Sequence, residues 1–489
     1  MNFLQRIIKT KNILFNLAVF IATATFLDGV PFFISDVEAK NGRFVETVDD
    51  SSIKILKLSL EEAINLALHD NRALLDADND LKIRELTLEQ EKSLFDFKLF
   101  PGGDAGITGS DSDNDTSLGI RGTVEKKFTN GIKGALVPSI ERSNDEYSAS
   151  VGASLTIPLF RGYGQFVNLN SIDAIQHSLK TARRSIHTSR VNTIISTVAG
   201  VYDIIKQEKL LQILNQQKKR LKEHTEILKI KEKTDLISSL DIYRAEIRLK
   251  DVEDNYAQSW KIYAGAQDQL KIILAVPVEI TISVKAPLKS EPVHIEPDKA
   301  VQIALTNRTD LQQADDNISE SIRKGEIAKH NLLPEVNIAV DYNRFGSSED
   351  FSRTYHFNEN RWNIKLISTT DWSRKSEKIA FRQRLLDIKN ARIALESKKD
   401  EIKKAVREQL EALKESENRI ILKKKQIHQA QGKVALAEIK FRHGLADNSD
   451  FIEAETELQQ SRANLLAAEF DYIVGTYRLR AALGTLLEH

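Results

Sequence analysis

Proline is missing from two long stretches of this chain, and that absence constrains its fold more than any motif. The nine prolines stand at 31, 101, 138, 158, 277, 287, 292, 297 and 334. An interior proline removes a helical hydrogen bond and clashes with the preceding turn. Long helices can therefore run between Pro158 and Pro277 and beyond Pro334. Both stretches are rich in Lys, Glu, Gln, Leu, Ala and Arg, all good helix formers. Apolar spacing says what such helices pack against. Ile172, Ile175, Leu179, Ala182 and Ile186 step by three and four, as do Leu210, Leu214, Gln217, Leu221, His224 and Leu228. Ala245, Leu249, Val252 and Tyr256 repeat the pattern, and Ile388, Ala391, Leu395, Ile402 and Ala405 hold it in the second stretch. Such alternation is the seam of helices lying along other helices.

The seams stop and restart near Lys233-Thr234-Asp235 and Arg442-His443-Gly444, which reads as the tips of two helical hairpins. The outgoing arms, about 164–231 and 376–441, would each be about 100 Å long at 1.5 Å per residue. The return arms, near 239–275 and 449–486, have roughly half that length. Further helical patterns near 60–96 and 297–330 supply the missing half. The chain also reads as an internal duplication. Ala63, Ala67, Leu68, Leu74 and Ala77 match Ala300, Ala304, Leu305, Leu311 and Ala314 at a constant offset of 237 (300 less 63). Asp241, Ala245, Glu246, Leu249 and Asn255 match Asp450, Ala454, Glu455, Leu458 and Asn464 at an offset of 209 (450 less 241). This divides the chain into a first repeat over 57–283, a linker over 284–296 and a second repeat over 297–487.

Each repeat also has a strand-like segment, 105–160 in the first and 334–371 in the second. Asn130-Gly131 is a strong hairpin turn. Val151, Ala153, Leu155 and Ile157 alternate with small polar residues, as do Val336, Ile338 and Val340, and then Trp362, Ile364 and Leu366. Segments of about ten residues with one apolar face suit a membrane barrel; a small periplasmic β-domain is the competing reading. The first 39 residues have the form of an export signal. Arg6, Lys9 and Lys11 precede the apolar run from Ile13 to Leu27, and Val37-Glu38-Ala39 resembles a cleavage site. An uncleaved anchor is the alternative. Residues 40–56 then form an N-terminal extension.

Composition excludes several classes. Lys+Arg and Asp+Glu both number 70, so the basic footprint of a nucleic-acid binder is missing. There is no cysteine, which removes disulfides, thiolate metal sites, thiol nucleophiles and lipidation on cysteine. No HExxH, phosphate-cradling glycine loop or Gly-x-Ser-x-Gly is present, and the histidines are scattered, so neither enzyme activity nor a metal or other cofactor is expected.

Three groups of residues resemble the TolC-like outer-membrane efflux protein family. Ile157-Pro158-Leu159-Phe160-Arg161-Gly162-Tyr163-Gly164, followed by Asn168 and Ile172, is similar to the family's turn from strand into long helix. Ala67-Leu68 with Asn71 and Leu74 is echoed by Ala304-Leu305 with Arg308 and Leu311. Arg442-His443-Gly444-Leu445, then Asp450 and Ala454-Glu455, precede Leu483-Gly484-Thr485-Leu486. The resemblance spans roughly 57–487 and departs from the pattern at the second strand-to-helix turn, where Ser368-Thr369-Thr370-Asp371-Trp372 stands.

The resemblance implies a mainly α fold with a membrane β-barrel part. Duplicated hairpins would form a trimeric α-barrel tunnel, and each subunit would give four strands to a shared twelve-stranded barrel. It implies a passive export duct in the outer membrane of a Gram-negative bacterium, with a large periplasmic part. Its partners would be two further copies, outer-membrane lipid, a periplasmic adaptor and an inner-membrane pump, in a tripartite efflux or type I secretion system. By the same resemblance, Asp450 and Glu453 ring the narrow inner end of the tunnel, and Asp235, Leu236, Gly444 and Leu445 face the adaptor. The two acids can also be read as solvated groups favoured by the helix dipole. A basic residue that pairs across the tip in relatives is replaced by Ala446. The alternative function is a periplasmic coiled-coil adaptor or scaffold without a pore, which would carry one hairpin between β-rich flanks rather than two.

Overall fold

In the computed structural model the described residues are 55–109, 114–144, 146–233, 237–288, 293–443, 445 and 447–487. The export-signal region lies outside them, as do Asp235, Leu236, Gly444 and Ala446. In the first half, β1 (Ile55–Ser59) leads to α1 (Leu60–Asp70) and α2 (Arg72–Ser93). Four strands follow, β2 (Phe97–Gly109), β3 (Asn114–Lys127), β4 (Lys133–Ser143) and β5 (Glu146–Pro158). The single turn α3 (Gln165–Asn168), the long α4 (Asn170–Glu232) and α5 (Ser239–Ile273) complete it. The second half runs β6 (Thr281–Lys285), α6 (Pro297–Asn307), α7 (Thr309–His330), β7 (Val336–Ser348), β8 (Glu359–Ser368), α8 (Lys375–Arg442) and α9 (Asn448–Leu483).

Both offsets recur in the helix starts. α1 and α6 have 11 residues each, α2 and α7 have 22 each, and each later helix begins 237 positions after its counterpart (297 less 60, 309 less 72). α5 and α9 begin 209 positions apart (448 less 239). The break between the short helices is conserved in place but not in chemistry. Asn71 turns the chain out of the helical region, and its side chain caps α2 at Ala73 and Leu74. Arg308 has nearly the same backbone angles, but its guanidinium binds Asp310 at two points. α1 starts on a capping box in which Ser59 and Glu62 exchange backbone hydrogen bonds, two orphan donors satisfied together.

α4 and α8, of 63 and 68 residues, extend about 95 and 100 Å at 1.5 Å per residue. The core recurs with the repeats. Ala63 and Ala67 of α1 are fully buried in a cluster with Val198, Val201, Tyr202 and Leu270. Ala300 and Ala304 of α6 occupy the equivalent place beside Ile402, Val406 and Leu479. Alanine at i and i+4 lets the short helix approach the long one closely. The Tyr202 hydroxyl donates to the Pro287 carbonyl at 2.9 Å, and burial pushes its pKa up to about 12. A small parallel sheet of β1 and β6 closes the first cluster. Sequence patterning did not reveal it: β1 starts inside the stretch read as an N-terminal extension, and β6 straddles the expected linker boundary.

The strand count needs correction. The second repeat supplies two strands, but the first supplies four, and all six form one antiparallel sheet in the order β2-β3-β4-β5-β7-β8. The family resemblance implied four strands per subunit in all. The extra hairpin is β2–β3, and it begins at Phe97, eight positions before the segment read as strand-like. Its sequence hides the strand because Pro101-Gly102-Gly103 lies in the middle of β2, a combination that ordinarily marks a turn.

Candidate functional site

The sheet has two chemically distinct faces. Cross-strand partners share a face, so the registers sort the side chains. One face carries Phe97, Leu99, Ala105 and Ile107 of β2, paired or interleaved with Leu118, Ile120 and Val124 of β3. It continues through Leu136 and Ile140, Leu155, Ala153 and Val151, and Ile338, Val340 and Tyr342, ending in Leu366, Ile364 and Trp362. The opposite face carries Lys98, Asp104, Arg121, Glu125, Ser139, Glu141, Ser148, Ser150, Ser154, Asp341, Asn343, Arg361 and Lys365, with Phe100 and Phe345 among them. On that face Arg121 lies 3.5 Å from Asp104. The apolar face is solvent-exposed in the single chain: Leu99 is 69% exposed, Ile364 63% and Trp362 70%. Exposed aromatics gather where strands meet helices, at Phe97, Phe128, Phe160, Tyr163 and Trp372. Lipid-facing barrels have this arrangement, an apolar band with aromatic margins. Among the described residues no helix is long and apolar enough to cross a membrane.

The junction between sheet and long helix is built from the glycine-rich turn. Gly162 and Gly164 have φ of +88° and +105°. The Asn168 amide donates to both of their carbonyls, at 2.8 and 3.0 Å. Gly164 N–H donates to Asn130 of the β3–β4 turn at 2.9 Å. Gly131 in that turn has φ of +97°, and a Cβ there would lie 2.3 Å from the Gly162 carbonyl oxygen. The second junction uses other residues. Asp371 accepts from Ser373, Arg374 has φ of +44° and donates to the Leu332 carbonyl, and Trp372 stands free in solvent.

At the opposite end the two hairpins are bound to one another. His224 of α4 lies between Phe441 and Phe451, with ring centroids 4.9 and 4.3 Å away. Its Nε2 is 2.7 Å from Asn448 Oδ1. The Asn448 amide nitrogen donates to the Asp241 carbonyl of α5 at 2.9 Å, so the amide oxygen accepts and His224 carries its proton on Nε2. Burial holds the His224 pKa below its ordinary value. One turn further in, Arg220 of α4 pairs at 3.0 Å with Glu455 of α9, which is fully buried and also accepts from Gln459 at 2.6 Å. Arg248 of α5 donates to Thr456 at 3.0 Å. Sequence reasoning placed His224 on the seam but found neither its partner nor the Arg220–Glu455 pair. The signals present were a histidine on the α4 seam and a glutamate repeated at the 209-residue offset.

Asp450 and Glu453 stand exposed on one face of the first turns of α9, and Glu457 extends that face. Lys433 of α8, which the sequence reading did not single out, is 2.9 Å from both Glu453 and Glu457. Its hydrogen bond holds the Glu453 carboxyl below the ordinary range. Leu445, 77% exposed, is the described residue of the expected adaptor-facing set.

The sheet, the duplicated hairpins and the joined tips together make up the fold of TolC-like outer-membrane channels. Residues 300–485, the second repeat, match the model of the outer membrane efflux protein family. The chain is similar in fold to the CmeC outer membrane channel of Campylobacter jejuni, with a TM-score of 0.69 and 14% identity over 87% of this chain and 86% of that one. It is also similar to the outer membrane protein VceC of Vibrio cholerae, with a TM-score of 0.67 and 13% identity over 87% and 96%. The open state of the MtrE outer membrane channel of Neisseria gonorrhoeae gives a TM-score of 0.65 and 16% identity over 91% and 96%. No curated relative matches the sequence.

Proposed function

We propose that this chain is the outer-membrane channel subunit of a tripartite efflux or type I secretion system. Three copies form a passive duct that docks, through a periplasmic adaptor, to an inner-membrane pump. The observation that carries the reading is the continuity of the sheet with the long helices. A sheet with one apolar and one charged face leads directly into paired helices of about 100 Å, twice in one chain. The periplasmic adaptor alternative does not account for an exposed apolar sheet face.

Assembly into several copies follows from what one copy leaves uncovered. The sheet edges are β2 and β8, and the helices beside those edges expose large apolar residues. On α2 these are Leu75, Ile83 and Leu86; on α8 they are Ile379, Leu386 and Ile393, spaced by sevens. Exposed apolar stripes of this length mark interaction surfaces. Within the assembled duct, the face of Asp450 and Glu453 lines the inner end of the tunnel, and the tips at Asp235, Leu236, Gly444 and Leu445 meet the adaptor. Crowded carboxylates there favour cations over anions.

Fractionation tests the reading. The chain should be recovered in the outer membrane and migrate as a detergent-resistant trimer. Recovery as a soluble periplasmic monomer in every detergent would sink it.

A further inference from the structure

Three copies of a six-stranded sheet have eighteen strands to place, and we propose that all eighteen form the wall of the membrane barrel. This inference rests on the trimeric channel reading and deepens it. The alternative is a twelve-stranded wall made of β4, β5, β7 and β8 from each copy, with the β2–β3 hairpin outside it.

The added hairpin has the two-faced pattern of the rest of the sheet. Phe97, Leu99, Ala105 and Ile107 of β2 lie on the same face as Leu118, Ile120 and Val124 of β3, and that face is continuous with Leu136 and Ile140 of β4. The opposite face holds Lys98, Asp104, Arg121 and Glu125, with Arg121 paired to Asp104. A hairpin lying outside the wall or over its mouth has no use for a lipid-type face on one side and an ionic face on the other. Strand length agrees, since β2 and β3 have 13 and 14 residues against 10 to 13 for the other four.

Direction agrees as well. Successive strands are antiparallel, so β2 runs away from the helices and β8 runs back toward them. The β8 edge of one copy therefore meets the β2 edge of the next in antiparallel order. The wall closes with an even strand number and no free edge, as bacterial barrels require. Pro101 does not prevent this. Pro138 lies in β4, which pairs on both sides, and the β3–β4 ladder skips it and resumes at Val124 and Leu136.

The consequence is a wider mouth. Barrel diameter grows roughly linearly with strand number, so eighteen strands give a barrel about 1.5-fold wider than twelve. Barrels of about that size leave an aqueous channel. The duct would then take cargo limited by the helical tunnel and its tips rather than by the membrane barrel.

Disulfide trapping in the intact trimer separates the two walls. Cysteine replaces Trp362, Ile364 or Leu366 on β8, each combined with Leu99→Cys on β2 or with Leu136→Cys on β4. The native chain has no cysteine to interfere. An eighteen-stranded wall predicts intersubunit crosslinks from β8 to β2. Crosslinks from β8 to β4 would overturn it while leaving the channel reading intact, and failure to isolate any trimer would overturn both. Electron cryomicroscopy of the unsubstituted trimer gives the same answer without variants: eighteen strands in the wall support the proposal, and twelve refute it.

Discussion

His224 on α4 donates a 2.7 Å hydrogen bond to the side chain of Asn448 on α9, joining a helix of the first hairpin to the start of the last helix of the second. Asn448 passes the connection on to the Asp241 carbonyl of α5. Three of the four helices that meet at the tips are thus joined through one buried amide, and Phe441 of the fourth, α8, packs against the imidazole.

Acid should loosen this contact. Burial holds the His224 pKa below its ordinary value, about 6.5 for a free side chain. The packed tip therefore favours neutral imidazole. As pH falls below about 6.5, the separated form takes up a proton that the packed form resists, and the contact weakens until the packed pKa is passed. Hydrogen exchange of amides in 448–458 should accelerate between pH 7.5 and 5.5 beyond the intrinsic pH effect. His224→Gln should abolish that excess. An unchanged pH response in the variant would show that other groups control the tip.

Arg220→Ala should destabilise the helical tunnel, because it leaves the fully buried Glu455 carboxylate without its cation. Removing one partner of a buried pair costs about 3–5 kcal/mol. Arg220 is 37% exposed, so solvent screening brings the expected loss below that range, to about 2 kcal/mol. Combining Arg220→Leu with Glu455→Leu should recover most of the loss. Urea unfolding followed by circular dichroism reads both. Equal midpoints for the native chain and Arg220→Ala would mean the pair is energetically idle.

At the acid face, Lys433 makes a two-way prediction possible. Asp450→Asn with Glu453→Gln should reduce cation preference, and Lys433→Gln should raise it by freeing Glu453 and Glu457 from their shared cation. Reversal potentials under a salt gradient measure both. Lack of movement in either direction would make these residues ordinary surface groups.

Gly131→Ala should harm assembly more than its size suggests. The position has φ of +97°, and the added Cβ would meet the Gly162 carbonyl at 2.3 Å. The strand turn and the turn into α4 cannot then remain in contact. The heat resistance of the trimer on gels should fall, whereas Gly432→Ala, on an open face of α8, should leave it unchanged. Matching heat resistance in both variants would contradict the close approach.

The helical part of the molecule was legible because its signals are long. Proline-free stretches, three-four seams and two fixed offsets all bear on the same helices, and the 237-residue offset recurs at the starts of α6 and α7. The break between the short helices was not legible, since Asn71 and Arg308 make it by different chemistry. Strand number was not legible either. A barrel strand of ten to fourteen residues, many of them small and polar, gives a weak pattern, and Pro101-Gly102-Gly103 reads as a turn until its partners on β3 are known. At the tips, exposed acids were identified from sequence, but Lys433 was not, because the pairing depends on how α8 and α9 are placed side by side. The buried His224–Asn448 and Arg220–Glu455 contacts join residues more than two hundred positions apart, a relation that no local pattern carries.

The central claim is that this chain forms a conducting duct, and single-channel recording from purified trimer in planar bilayers tests it most directly. The account predicts discrete, cation-preferring conductance steps that are reduced by multivalent cations and become less so in the Asp450→Asn, Glu453→Gln variant. Stable insertion without any conductance, under conditions that include pH 5.5 and the His224→Gln variant, would contradict it.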